Sequence, residues 1–198
     1  MRFFIDGTEW NFPHMDSLTR EELLEELRGQ VAAEGHVIVD MLCDGESLDD
    51  KAMMTVPDAI DVEVRTASPW GLGIEILDEI DDSLSNVFRL IQEALDGSQM
   101  FEPDQLREAH EQIGWIGDVI EGFRDAYPEY GASLPDAAPL EEELSVFENL
   151  LSDGRYADAN EWHECDWKDK ALPPFMNGLK ELREWFAEQE RRDGGENE

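Results

Sequence analysis

The chain has 198 residues, of which 49 are Asp or Glu and 15 are Lys or Arg, for a formal net charge of −34. A chain of this length buries about 70% of the surface its unfolded form exposes. Its hydrophobic share, 41% with nine Phe and six Trp, is too high for a disordered acidic chain. Direct binding to nucleic acid or to an anionic membrane is disfavoured, because both require clustered Lys and Arg.

The acid is spread evenly. Residues 1–98 carry 23 acids and 6 bases, and residues 99–198 carry 26 and 9, so each half stands near −17. Lys51, Lys168, Lys170 and Lys180 are the only lysines. An even, lysine-poor acidic coat fits a protein kept in solution by hydrated, mutually repelling carboxylates. The sharper alternative is an acidic docking face, for a basic protein or as a DNA mimic. Cys43 and Cys165 lie far apart with no CxxC spacing. They read as reduced thiols, with one long-range disulfide left open. Met1-Arg2-Phe3-Phe4-Ile5-Asp6-Gly7 meets an acid at once and shows no signal-peptide core, and no run nears the ~18 apolar residues of a membrane span. The expected location is cytoplasmic.

In chain order, Phe3-Phe4-Ile5, then Asp6-Gly7, then Thr8 to Phe12 predicts a β-hairpin ended by Pro13. Asp-Gly supplies the positive φ angles of a two-residue type I′ turn. Ser17 or Thr19 caps a helix, and Thr19-Arg20-Glu21-Glu22 fits a capping box. Leu23, Leu24, Leu27 and Val31 form its apolar stripe, and Gly35 stops it. His36 to Cys43 is β-branched and ends at a second Asp-Gly, Asp44-Gly45. Residues 46–58 read as irregular. Ile60, Val62 and Val64 alternate with Asp61, Glu63 and Arg65 as a half-buried strand.

Hairpin, helix, strand, loop and strand give a ββαββ order with two Asp-Gly turns. Over residues 1–67 this resembles the β-grasp, or ubiquitin-like, superfold. That fold implies a recognition module more often than a catalyst, but superfolds host many functions. The whole chain resembles small bacterial proteins of no known activity that open with a Phe-Ile-Asp-Gly-type hairpin and continue into helices.

Residues 68–190 read as an antiparallel all-α bundle of four or five helices, giving an α+β protein. Ser68-Pro69 is a cap followed by proline at the first helical position. Ile76, Ile80, Leu84, Val87, Phe88, Ile91 and Leu95 form the first stripe, stopped at Gly97. After Pro103 comes Leu106, Ala109, Ile113, Ile116, Ile120, Phe123 and Tyr127. Gly114, Gly117 and Gly122 each cost this helix roughly 1 kcal/mol against Ala, and close approach of a neighbouring helix, or a bend, would account for them. Pro128 to Pro139 is a connection. Leu140, Leu144, Phe147, Leu150 and Leu151 form a third helix, broken at Asp153-Gly154. Tyr156, Ala159 and Trp162 begin a fourth, ending before Pro173-Pro174. Phe175, Leu179, Leu182, Trp185 and Phe186 form a fifth. Residues 191–198, with Gly194-Gly195, read as a disordered acidic tail. Leu150-Leu151-x-x-Gly154-Arg155-Tyr156-x-x-Ala159 resembles the joint of tetratricopeptide-like hairpins, without a second copy at the repeat period.

Few residues nominate chemistry. In Glu161-Trp162-His163-Glu164-Cys165-Asp166-Trp167, the potential ligands His163 and Cys165 fall on opposite faces of an α-helix, so no metal site is expected. His14, His36 and His110 have no local nucleophile, Gly71-Leu72-Gly73 lacks the Lys of a phosphate loop, and Asp44 to Asp50 lacks calcium-loop spacing. With so many acids, any carboxylate pair is uninformative. No catalytic residue, cofactor or metal is therefore assigned. Trp70, Trp115, Trp162, Trp167 and Trp185 fall in the helical half. Most are expected in the core, and one or two in an interaction groove. The expected function is a non-enzymatic interaction or adaptor protein with an unknown protein partner, or a homo-oligomer. The alternatives are an enzyme or ligand-binding protein with a carboxylate-rich pocket between the halves, and an acidic DNA mimic or inhibitor of a basic protein.

Overall fold

The structure, a computed structural model, describes residues 2–11, 17–57, 61–96, 106–130 and 133–195. Phe12, Pro13, His14, Ile60, Gly97 and Pro103 lie outside the described residues. The fold is α+β, with a five-stranded mixed sheet followed by a run of helices. The chain divides into two compact units, Met1–Gly73 with Gln189–Glu198, and Ile74–Glu188. The division lies a few residues past the expected boundary at 67, inside a helix.

In the first unit, β1 (Arg2–Ile5) and β2 (Thr8–Trp10) pair antiparallel across Asp6-Gly7. Asp6 has φ 48° and Gly7 φ 80°, the two positive values that a type I′ turn demands. The Asp6 carboxylate also accepts hydrogen bonds from Thr66 N at 2.9 Å and Thr66 Oγ1 at 2.6 Å. That ties the turn to a strand sixty residues away. Asp44-Gly45 repeats the device, with φ 52° and 83°, between β3 (Val37–Cys43) and β4 (Glu46–Ser47). β5 (Asp61–Ala67) lies parallel to β1 and antiparallel to β3, giving the order β2-β1-β5-β3-β4. A bulge interrupts β3 between Ile38 and Asp40.

Helix α1 (Arg20–Ala33) begins with both arms of the capping box: Thr19 Oγ1 accepts from Glu22 N, and the Glu22 carboxylate accepts from Thr19 N at 2.7 Å. It ends in a Schellman turn, with Gly35 at φ 78° and the N–H groups of His36 and Gly35 bound to the carbonyls of Val31 and Ala32. Its stripe Leu23, Leu24, Leu27 and Val31 packs with Phe3, Trp10, Met41, Val62 and Val64 of the sheet. Each large apolar side chain buried there contributes about 1.5–3 kcal/mol.

Residues 46–58 correct the irregular reading. β4 follows from the reversal at Asp44-Gly45. A short helix, α2 (Asp50–Met53), follows because the Asp49 carboxylate accepts from Ala52 N at 2.6 Å. Met53 is fully buried.

Helix α3 (Pro69–Asp96) starts at the expected cap: Ser68 Oγ accepts from Gly71 N at 2.8 Å. Ser68 Oγ donates to the Glu190 carboxylate, and Trp70 Nε1 donates to the Asp193 carboxylate. These bonds correct the expected disorder from residue 191, since the last helix continues to Gly195. Arg191 and Arg192 also suit the negative end of a helix dipole.

The second unit holds most of α3, then α4 (Arg107–Ala126), α5 (Ala138–Ser152), α6 (Tyr156–Trp162), a π-helical stretch (His163–Ala171) and α7 (Leu172–Gly195) as far as Glu188. Gly154, φ 72°, makes the α5–α6 turn as a second Schellman motif, Arg155 N to Leu150 O and Gly154 N to Leu151 O. α6 ends at Trp162, before Pro173-Pro174 as expected, but the chain stays helical beyond it, through the π-helical stretch and into α7. Both prolines sit in the first turn of α7, where a missing N–H is tolerated, and the wide π turns lead into them.

Of the two accounts of the α4 glycines, a bend and close approach of a neighbouring helix, the second is not seen among the described residues. Among the described residues, a Cβ at Gly114 or Gly122 would meet nothing within 4 Å, and at Gly117 Ala137 Cβ at 3.8 Å. Close approach occurs instead at Gly178 of α7, where a Cβ would lie 2.8 Å from Pro135 Cβ and 3.3 Å from its Cα. Among the described residues no helix is long and apolar enough to cross a membrane.

Candidate cation-binding cleft

The five tryptophans singled out do not form one surface. Trp162 and Trp167 are core residues, 3% and 0% exposed, although Trp162 also lines a cleft with Arg155, Asp158 and Lys170. Trp162 stacks on Phe147, with centroids 4.6 Å apart, and donates to Glu143 Oε2 at 2.7 Å. Trp167 meets Phe88 edge to face at 6.2 Å, and its buried Nε1 has no hydrogen-bond partner among the described residues. Trp70, Trp115 and Trp185 are half-buried. Trp70 belongs to the first unit, and Trp115 and Trp185 to the second.

The polar segment 161–167 is where the helix widens, so α-helical spacing fails there. His163 is buried, with Nδ1 at 3.2 Å from Glu164 Oε1, while Cys165 is exposed. Burial lowers the His163 pKa, Lys168 lowers it further, and Glu164 opposes both. Among the described residues no three His, Cys, Asp or Glu side chains are grouped as metal ligands.

Trp115 lines a cleft of about 360 Å³ with Glu79, Ser83, Glu108, Glu111 and Gln112. Glu79 and Ser83 are one turn apart on α3. Glu108, Glu111, Gln112 and Trp115 follow i, i+3, i+4, i+7 spacing on α4 and therefore share a face. Ala109, Ile113 and Ile116 take the buried face of the same helix. Asn86 Nδ2 donates to Glu108 Oε1 at 2.8 Å, joining α3 to α4, and Arg89 holds Asn86 Oδ1 at 2.6 Å.

Among the described residues, every charged group lining the cleft is a carboxylate. Gln112 turns its Nε2 toward Glu108 Oε1 at 3.4 Å, the orientation a carboxylate demands, and this leaves Oε1 as a buried acceptor without a partner among the described residues. Arg107 lies 4.0 Å from Glu111, but both side chains are about 70% exposed, so that pair is weak. Acceptors, an indole face and one hydroxyl suit a donor-rich cation.

Two other clefts in this unit already contain their own cations. In one of about 380 Å³, Arg155 pairs with Asp158 at 2.7 Å and Lys170 pairs with Asp166. In one of about 270 Å³, Arg124 pairs with Glu121. The Trp115 cleft is the one of these three whose lining has no basic residue.

The Trp115 face was present in the sequence as Glu108-x-x-Glu111-Gln112-x-x-Trp115. Carboxylates at helical spacing recur throughout this chain, so the spacing alone carries no signal; what marks this face is that two helices bring carboxylates and an indole to one cleft. Comparison with protein-family models, with characterised proteins and with solved structures returns no match.

Proposed function

We propose that this is a non-enzymatic interaction protein whose partner is a basic protein, and that the Trp115 cleft receives a lysine side chain of that partner. The observation that carries this reading is the cleft's inventory: Glu79, Glu108 and Glu111 beside an indole, with no basic residue among the described residues that line it. An ammonium group supplies three donors and a compact charge, which suits carboxylates spaced along a cleft that an indole also lines. The net charge of −34 adds long-range steering of a basic partner and faster association at low salt.

The first unit is read as a β-grasp module, the recognition half of the protein. The strand order β2-β1-β5-β3-β4, with parallel β1 and β5 and α1 packed on the sheet, supports that reading.

The test is a tryptophan-fluorescence titration with octalysine at low and physiological salt, on the wild type and on E79Q/E108Q/E111Q. Saturable binding is expected, weakened about tenfold by the triple substitution, as three partly exposed ion pairs would give. Trp115→Leu is expected to weaken binding about threefold through loss of the cation–π contact. Absence of binding to the wild type overturns the function, and unchanged binding by the triple variant overturns the cleft.

A further inference from the structure

A second aromatic surface of the helical unit stands apart from the Trp115 cleft. Tyr127 and Tyr130, in the turn after α4, meet Trp185 of α7 with ring centroids 5.8 and 5.1 Å away. Tyr127 also packs edge-on to Phe186 at 5.0 Å, and Phe186 rests on Phe123 at 5.4 Å. Phe123 and Phe186 are buried, whereas Tyr127, Tyr130 and Trp185 are half-buried. The cluster therefore has a buried floor, Phe123 and Phe186, beneath a rim of three half-buried rings.

Carboxylates surround that rim. Glu129 lies between the two tyrosines in sequence, and Glu181 precedes Trp185 by one helical turn, with Glu184 beside it; all three are exposed. Burial raises the Tyr130 pKa, and Glu181 and Glu184 raise it further, so both carboxylates act on that phenol. Glu129 acts on Tyr127 in the same sense. Both phenols remain neutral near pH 7. Lys180 lies 3.9 Å from Glu184 with both side chains about 70% exposed, a pair too loose to neutralise the rim.

We propose that this rim is a docking surface for an arginine side chain of the partner, its guanidinium stacked on Trp185 and Tyr130 and paired with Glu181 and Glu184. The proposal rests on the reading that the partner is a basic protein. Arginine is specified by shape and hydration. A guanidinium is planar, less strongly hydrated than ammonium, and able to stack on a ring while its fork faces carboxylates. The half-buried rings of Trp185 and Tyr130, centroids 5.1 Å apart, offer that plane.

The experiment compares octaarginine with octalysine, by fluorescence titration at physiological salt, on the wild type and on E181Q/E184Q. Both substitutions are on exposed residues and leave the aromatic floor intact. The wild type is expected to prefer octaarginine by about fivefold, and the double variant to lose that preference while its octalysine affinity changes less than about twofold. Trp185→Phe, which keeps a ring in place, is expected to reduce the preference by about half. Equal losses for both peptides, or an unchanged preference, overturn the arginine surface and leave the basic-partner reading standing. Failure of the wild type to bind either peptide overturns that reading as well.

Discussion

The two units relate differently to their sequences. In the first, geometry is dictated by short polar signals. Asp6-Gly7 and Asp44-Gly45 set the turns, Thr19 and Glu22 open α1, and Gly35 closes it. Each acts through bonds within a few residues, so each can be read locally. In the second, punctuation misleads. Pro173-Pro174 opens α7 without breaking the helical path from the π stretch, and a Cβ at Gly114 or Gly122 would meet none of the described residues within 4 Å. The glycine that matters for packing, Gly178, faces a residue over forty positions away. A helix breaker ends a helix only where tertiary packing does not hold the chain helical on both sides.

Gly178→Ala is the sharpest test of that contrast. Its Cβ would press on Pro135, including a backbone atom, so a loss of about 1–3 kcal/mol is expected in chemical denaturation. In the first unit, Thr19→Ala removes the hydroxyl arm of the capping box and is expected to cost about 1 kcal/mol. Gly114→Ala goes the other way. With open space and a helical backbone, it is expected to stabilise by up to about 0.8 kcal/mol, and a measured loss would mean that α4 does need its glycine.

The smallest effect concerns Asp6. The bonds from Thr66 hold its carboxyl below the usual carboxylate range. A depressed native pKa gives stability that is complete above the unfolded pKa, about 3.9, and lost as pH falls through the native value. Asn tolerates the same positive φ without the charge. The stability difference between wild type and Asp6→Asn should therefore be steady at neutral pH and shrink below about pH 4. The difference is the readout, because acid also discharges the repulsive coat of the whole molecule.

The sheet half, the caps and the core stripes were legible because period and turn chemistry are local. β4 and α2 were missed because one is two residues long and the other is a single turn held by Asp49. The candidate cleft was legible only in part. Trp115 was flagged, but its partners Glu79 and Ser83 come from another helix, and no sequence spacing joins them to α4. Trp162 and Trp167 carry the same composition signal as Trp115, and the structure buries them.

The central claim is that an ammonium group enters the Trp115 cleft. The most direct measurement follows the six indole N–H resonances by NMR as octalysine is added. The account predicts that the Trp115 signal shifts first and saturably, while those of buried Trp162 and Trp167 stay in place. A Trp115 signal that remains fixed while binding saturates would contradict it.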